Sequence, residues 1–269
     1  MQITEDESLI YLRSKVQEDL IASFDNTDIL VWGTRQNEDV KLLGLTINIG
    51  VRRLPDSGHR AGPRTTKAMQ IAHLLSQMSH SAFFAIIYPL LNNDSFKVTS
   101  PKDPLNWSKS SIVKEAEMPK LIQQFFTTDL HVAGTAKPVN KGISDWFHKW
   151  ARANLPREYV RTNIDGLLLD NKGKPKILLE TKRSSIALDS WQPWQDDARN
   201  YYLQHLLATK VGLNFWTLYH IKGEEVRDQT EVVLFEISDV FLDGRRNWII
   251  LRRTKTKVID LIRKIKDEA

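Results

Sequence analysis

Residues 163–182 have the sequence Asn-Ile-Asp-Gly-Leu-Leu-Leu-Asp-Asn-Lys-Gly-Lys-Pro-Lys-Ile-Leu-Leu-Glu-Thr-Lys. Two apolar runs flank a polar turn that contains glycine, a pattern that predicts a β-hairpin. If the turn is centred between Lys172 and Gly173, residues that face each other across the ladder have numbers that add up to 345. Asp165 then lies opposite Glu180. Because side chains alternate between the two faces of a strand, Lys182 projects from the same face as Glu180.

The hairpin therefore predicts that two carboxylates and an ammonium group share one patch of the sheet. Like charges directly opposite each other are destabilising, and a divalent cation bound between them would relieve the repulsion. An alternative is a solvated sheet face on which Glu180 and Lys182 form only a salt bridge. A three-residue loop that ends at Gly173 with a bulge would also shift the pairing by one residue and place the carboxylates on opposite faces.

The composition is that of an ordinary globular protein, with 41% hydrophobic and 26% charged residues. A chain of 269 residues suits one large domain or two small ones. No apolar run approaches the ~20 residues that span a bilayer, and the acidic first residues lack a signal-peptide pattern. The absence of cysteine excludes disulfides and thiolate zinc sites. We therefore expect a cytoplasmic protein without a membrane segment.

The net charge of +5 is unevenly distributed along the chain. One basic segment, punctuated by proline and glycine, contains Arg52, Arg53, Arg60, Arg64 and Lys67. Residues 245–266 contain nine basic side chains and a single acid, Asp260. Patches of this kind suit a polyanionic partner, and a solvated surface is the alternative for each.

Periodicity and turn residues predict an α/β (α+β) fold with a mixed central sheet flanked by helices. Helices are expected at 5–24, 65–79, 112–127 with an interruption at Pro119, 145–154, 193–209 and 257–266. Strands are expected at 28–32, 40–51, 82–91, on both sides of the hairpin turn, and at 211–221, 231–237 and 247–251. Residues 92–111 are expected to form a long loop. A boundary in the segment 134–142 would separate an N-terminal α/β region, 1–138, from a C-terminal region, 139–269. No internal repeat is evident.

The order of helix, hairpin with Asp and then Glu-x-Lys, helix and strand resembles the PD-(D/E)xK nuclease superfamily, the fold of many restriction endonucleases. The residues that carry the resemblance are Asp165 and Glu180-Thr181-Lys182, within about residues 143–221. It implies a restriction-endonuclease-like core in 139–269. It also implies Mg²⁺, which Mn²⁺ can replace, bound by Asp165, Glu180 and the backbone carbonyl of Thr181. Lys182 would orient or activate the attacking water and offset charge in the transition state.

The chain also departs from the family pattern. No proline precedes Asp165, and Asp145 and Glu158 are weak candidates for an upstream acid, which leaves the metal count open. The Gln-x-x-x-Tyr motif of RecB-like members is replaced by Asp197-x-x-x-Tyr201. Three glutamines near or within this predicted helix lack the matching tyrosine: Gln192, Gln195 and Gln204. Trp191 and Trp194 are either core residues or platforms for an exposed base.

The expected function is that of a Mg²⁺-dependent, sequence-specific endonuclease of double-stranded DNA, similar to a type II restriction enzyme and acting as a homodimer. Residues 1–138 would then recognise DNA. The candidate DNA contacts are Arg52, Arg53, Arg60, Arg64 and Arg183. The alternatives are a junction resolvase, a transposon-end nuclease or a repair nuclease of the same superfamily, or a non-catalytic nucleic-acid-binding protein.

Overall fold

The computed structural model describes residues 7–16, 20–23, 27–36, 39–51, 63–89, 95–129, 146–221, 231–243 and 248–268. The chain divides into two compact units. The first comprises residues 1–4 and 25–161, and the second comprises residues 5–24 and 162–269. The division therefore falls at 161–162 and not at 138–139 as expected from composition, because the helix and strand that follow residue 145 pack within the first unit. The expected boundary segment, 134–142, lies outside the described residues.

The described residues confirm the predicted α/β class, with six α-helices and two six-stranded mixed sheets in place of one central sheet. The helices are α1 Glu7–Lys15, α2 Pro63–Met78, α3 Met118–Phe126, α4 Trp146–Asn154, α5 Ala198–Val211 and α6 Val258–Glu268. The strands are β1 Ile21–Ser23, β2 Thr27–Gln36, β3 Asp39–Val51, β4 Ala82–Pro89, β5 Ser95–Val98, β6 Ser111–Lys114, β7 Tyr159–Ile164, β8 Gly166–Leu169, β9 Pro175–Ser184, β10 Asn214–Ile221, β11 Glu231–Val240 and β12 Ile249–Lys257.

The sheet of the first unit has the strand order β6-β5-β4-β3-β2-β7. Strands β3 and β4 are parallel and are connected through α2, whereas β2/β3, β4/β5 and β5/β6 pair antiparallel. One hydrophobic core contains side chains of α3 and α4 together with those of the sheet, among them Trp32, Phe84, Met118, Phe147 and Trp150. Aromatic rings fill much of this core, and Trp32 contacts Phe126 and Phe147.

The sheet of the second unit has the strand order β1-β8-β9-β10-β11-β12. Strands β9 and β10 are parallel and are connected through α5, and all other neighbours pair antiparallel. On one face, α1 and α6 pack against Leu168, Ile177, Leu179 and Trp216. The spacing of Val258, Leu261, Ile262 and Ile265 predicts that they lie on one face of the last helix, and α6 does bury these four residues.

The hairpin of β8 and β9 has the register that the sequence predicts. Gly166 pairs with Leu179, Leu167 with Leu178 and Leu168 with Ile177, so the paired residue numbers add up to 345. A bulge is present between Leu168 and Leu169, but it lies next to the turn and leaves the rest of the ladder in the expected register. Gly173 has a φ of 76°, a left-handed conformation that glycine adopts without steric cost.

Three predicted elements are wrong at the N-terminal side of the chain. Residues 21–23 form strand β1 at the edge of the second sheet and do not continue the first helix. Strand β5 lies within the expected loop 92–111. Residues 111–117 form β6 and a 3₁₀ turn, so helix α3 begins at Met118. Pro119 lies in the first turn of α3, where a missing N–H breaks no helical hydrogen bond.

Helix α5 also differs from its prediction in start and in orientation. It begins at Ala198 after a 3₁₀ turn at Gln195–Asp197, so Pro193 lies outside it. Its buried residues are Tyr201, Leu203, Gln204, Leu207, Ala208 and Val211. The sequence predicts an apolar stripe of Trp194, Ala198, Tyr201, Tyr202 and Leu206 on this helix, but Trp194 is 50% exposed. The buried stripe is therefore rotated from the expected one, which brings Gln204 to the sheet.

In the described part of the chain, no helix combines the length and the apolar character needed to cross a bilayer.

Candidate functional site

Asp165 occupies the single position between β7 and β8, and its carboxylate is fixed by three hydrogen bonds. Its Oδ1 accepts from Asn163 Nδ2 at 2.9 Å. Its Oδ2 accepts from the backbone N–H of Thr181 at 2.7 Å and from Thr181 Oγ1 at 3.0 Å. The carboxylate is therefore anchored to strand β9 at the residue that follows Glu180.

Glu180 lies in the middle of β9 and is 6% exposed. Its neighbour Leu179 packs on the α1/α6 face of the sheet, so Glu180 points to the opposite face, where α5 lies. Its Oε1 lies 2.7 Å from Lys182 Nζ. Its Oε2 accepts a hydrogen bond of 2.7 Å from Gln204 Nε2. Both oxygens of this buried carboxylate are thus paired, as buried charge requires.

Lys182 is a permanently charged group in this environment. Burial by itself would lower the pKa of Lys182, but the attraction of the Glu180 carboxylate, its hydrogen bond with Lys182 and the charge of Asp165 outweigh burial and raise the pKa. Asp197 Oδ2 lies 3.9 Å from the ammonium, and the ring of Tyr201 lies 5.7 Å from it. Lys182 therefore stays protonated, so it can orient a water molecule and offset negative charge but does not accept a proton.

Gln204 is the site residue that the sequence did not identify. It is 1% exposed, and its Nε2 lies within hydrogen-bonding distance of three acceptors that share its two N–H hydrogens: Glu180 Oε2, Thr162 Oγ1 at 3.0 Å and the Asn163 carbonyl at 2.9 Å. The Glu180 carboxylate and the carbonyl can only accept, which fixes the orientation of the amide. In the sequence, this role is indicated by the position of Gln204 within an apolar helix face, one residue after Leu203 and three before Leu207.

Replacing Gln204 with leucine should lower the free energy of unfolding by about 1–3 kcal/mol, because a buried carboxylate oxygen and a part-buried carbonyl lose their donor. Chemical denaturation followed by circular dichroism measures this change. Gln192→Leu is the matched control, since Gln192 is exposed, and its effect should stay within about 0.5 kcal/mol. Equal stability of Gln204→Leu and the unsubstituted chain would contradict the anchoring role.

Asp197 and Tyr201, the pair found at RecB-like spacing, both lie near Lys182. Asp197 is the residue before α5, and Tyr201 follows one turn later on its buried face. Burial raises the pKa of the Tyr201 hydroxyl, and the Lys182 ammonium partly opposes the shift. Tyr201 therefore remains a neutral phenol. The 3.6-residue turn places both side chains on the side of α5 that faces β9.

The donor set suits one hard cation held mainly by two carboxylates. Asp165 Oδ1 and the two oxygens of Glu180 each have one described partner, so each keeps a further lone pair for an ion. Asp165 Oδ2 already accepts two hydrogen bonds from Thr181. Within the described ranges, no three His, Cys, Asp or Glu side chains are close enough together to hold a metal. A bound ion would therefore complete its shell with water or carbonyl oxygen, as Mg²⁺ commonly does. The Thr181 carbonyl stays a predicted ligand.

Of the two candidate upstream acids, only Glu158 lies in the described part of the chain. Glu158 is exposed and belongs to the first unit, where its backbone carbonyl accepts a hydrogen bond from Arg35. Asp145 lies outside the described residues.

The predicted DNA contacts are only partly described. Arg52, Arg53 and Arg60 lie outside the described residues, and Arg64 is the second residue of α2 with its side chain not described. Arg183 is exposed on β9, directly after Lys182. It is the candidate contact that the structure places beside the catalytic candidates.

Acids from other elements lie beside much of the basic C-terminal patch. Lys264 and Arg252 approach Glu236 at 2.6 and 3.6 Å. Lys255 lies 3.1 Å from Glu231 and 3.3 Å from Asp189. These acids precede residue 245 in the sequence. The net positive charge of the surface around residues 245–266 is therefore smaller in the folded chain than a count within this segment indicates.

Trp191 is a structural residue and Trp194 is not buried. The ring of Trp191 stacks on Tyr219 with centroids 4.2 Å apart and planes within 5° of parallel, and the side chain is 2% exposed. This stack fixes the segment between β9 and α5 to the sheet. Trp194 stays a candidate for base stacking, since half of it is exposed.

A scan against protein-family models finds no match for this chain, and a search of curated proteins finds none either.

Proposed function

We propose that the second unit is the catalytic centre of a metal-dependent endonuclease that hydrolyses phosphodiester bonds of double-stranded DNA. The observation that carries the proposal is that an Asp on the β7–β8 connection, a Glu and a Lys are held in one patch at the β9/α5 face. Asp165 is hydrogen-bonded to Thr181, next to Glu180. Glu180 is paired with Lys182, whose charge also interacts with Asp165.

The chemistry assigns a separate task to each side chain. In hydrolysis, water adds to phosphorus, one P–O ester bond breaks, and the departing oxygen takes up a proton to leave a hydroxyl and a phosphomonoester. Lys182 stabilises the negative charge that grows on phosphorus-bound oxygen and orients the water. Asp165 and Glu180 hold the cation, and Gln204 fixes the rotamer of Glu180. Mg²⁺, or Mn²⁺ in its place, would supply activation of water and charge compensation.

Duplex DNA is the proposed substrate, cut at specific sequences by a homodimer. Arg183 is exposed next to the centre, and the basic segment from Arg52 to Arg64 supplies further phosphate and guanine ligands in the sequence. The absence of cysteine fits a cytoplasmic protein.

The test is to incubate supercoiled plasmid with the full-length chain and Mg²⁺, Mn²⁺ or EDTA. Cleavage with either metal and none with EDTA is the expected result. Discrete bands would support sequence-specific cutting, whereas a smear would indicate nonspecific cutting. Preference for a four-way junction or a transposon end over plasmid would favour the other superfamily functions.

A non-catalytic nucleic-acid-binding protein is the second candidate. The observation in its favour is that both oxygens of Glu180 are paired with protein groups, Lys182 and Gln204. Retarded migration of duplex DNA, with no cleavage of any of these substrates by either metal, would support this candidate and contradict the nuclease.

A further inference from the structure

The two units contain the same order of elements. In the first, an antiparallel hairpin (β2, β3) is followed by helix α2, a parallel strand β4, two antiparallel strands (β5, β6) and helix α3. In the second, hairpin β8–β9 is followed by α5, parallel strand β10, antiparallel strands β11 and β12, and helix α6. The order ββαβββα thus occurs twice, although no repeat is evident in the sequence.

The correspondence extends to individual residues. Both parallel strand pairs are eight residue pairs long. The helix before the second parallel strand ends in a left-handed residue in each unit, His80 with a φ of 51° and Gly212 with a φ of 70°. The backbone closes each helix in the same way, with Ser81 N–H donating to Ser76 and Leu213 N–H donating to Ala208. In both units this helix cap lies two residues before the parallel strand, β4 or β10. His80 and Gly212 therefore align the residues of the two copies one by one.

In the sequence, a nine-residue helix and a strand precede each ββαβββα copy, and we call this helix and strand its arm. Each arm packs in the unit that the other copy forms. The first arm, α1 and β1, belongs to the second unit, where Leu9 and Leu12 share a core with Leu261 of α6 and Ile21 pairs with Leu168. The second arm consists of α4 and β7, and its residues up to Arg161 belong to the first unit. There, β7 neighbours β2 in the sheet, and Phe147 and Trp150 share a core with α3.

The positions that correspond to the candidate site are apolar in the first unit. Counting along the parallel strands, Ile47 and Ile49 take the places of Glu180 and Lys182. Ile29, which pairs with Ile47, takes the place of Asp165. Counting back from the left-handed cap, Ala72 takes the place of Gln204. All four are buried, and burying a phosphate or a cation among such side chains would be strongly unfavourable.

We propose that the chain is a duplicated module whose two copies exchange their N-terminal αβ arms, and that only the second copy has the residues for catalysis. One chain then contains a single cleavage centre. The first unit contributes to DNA binding but does not cleave a strand itself. The single centre rests on the proposed function, whereas the arm exchange does not.

Hydrogen exchange measured by mass spectrometry tests the exchange of arms in the full-length chain. Leu12→Ala in the first arm should speed exchange in peptides of β9 and β10 by about 10-fold or more, because it opens a cavity in the core of the second unit. Peptides of β3 and β4 should keep their protection. Ile10→Ala, on the exposed side of the same helix, is the control. Loss of protection in β3 and β4 alone would overturn the proposal that the arms are exchanged. If Leu12→Ala does not fold, Leu12→Val is the milder variant for the same measurement.

Plasmid cleavage tests the single centre. Asp165→Asn should lower the cutting of both strands at least about 100-fold, and Ile47→Val, at the counterpart of Glu180, should leave the rate unchanged. An Asp165→Asn variant that still nicks one strand but no longer makes double-strand breaks would reveal a second centre and overturn the proposal. If the unsubstituted chain cuts no substrate, the proposed function and the single centre both fail. The hydrogen-exchange measurement still tests the exchange of arms separately.

Discussion

Asp165→Asn should lower the rate of DNA cleavage at least about 100-fold at saturating Mg²⁺, because altering groups that merely support a metal ligand already lowers metal affinity or activity by about 10–100-fold. The substitution keeps the size of the side chain and an oxygen that can accept from the Thr181 N–H, while it removes the charge that a hard cation requires. Gel analysis of plasmid cleavage over a range of Mg²⁺ concentrations measures the effect.

The control for this prediction is Asp189→Asn, which removes a carboxylate from the same unit at a surface site. Asp189 is 72% exposed and interacts only with the surface residue Lys255 among the contacts described. We expect unchanged cleavage and unchanged thermal stability. Cleavage by Asp165→Asn at the rate of the unsubstituted chain would show that Asp165 does not hold the ion.

Lys182→Met should lower the cleavage rate by about 100- to 1,000-fold, the range seen when one preorganised group that stabilises transition-state charge is removed. The raised pKa of Lys182 keeps its side chain charged at neutral pH. Because the proposed phosphate contacts are distributed over several basic residues, binding of duplex DNA in Ca²⁺ or EDTA should persist. Single-turnover cleavage and gel retardation separate the two quantities.

Lys255→Met is the matched control, since Lys255 interacts with Glu231 and Asp189 on the surface and should not affect the rate. Lys182→Met also leaves Glu180 with Gln204 as its remaining described partner, so circular dichroism must show that the variant is folded. A folded Lys182→Met that cuts at the unsubstituted rate would refute the catalytic assignment. One that no longer binds DNA would assign Lys182 to binding.

The local part of the site could be predicted because a hairpin follows simple geometry. The turn at Gly173 and the alternation of side chains determine which residues of β8 and β9 face each other, and the observed register agrees. The same holds for α6, whose four buried residues follow from spacing alone. In both cases the pattern is contained in fewer than 25 consecutive residues.

The prediction failed where the outcome depended on a partner distant in sequence. Residues 20–23 were assigned to a helix because their apolar spacing continues that of α1, but β8 offers an edge on which Ile21 pairs with Leu168. Gln204 was set aside for lack of a motif, yet its role is defined by Glu180, Thr162 and Asn163, at least 24 positions away. Tertiary contacts override local preference in such cases.

The sequence by itself determined the α/β class, the hairpin register and the candidate trio Asp165, Glu180 and Lys182, because each depends on short-range periodicity and on the chemistry of the side chains. Only the tertiary structure decided that Gln204 completes the site, that acids from β11 and from the segment before α5 lie beside the basic strand β12, and that two similar units exchange their first helix and strand. The physical reason is that these features depend on burial and on hydrogen bonds between segments brought together by folding, and residue spacing contains no direct record of them.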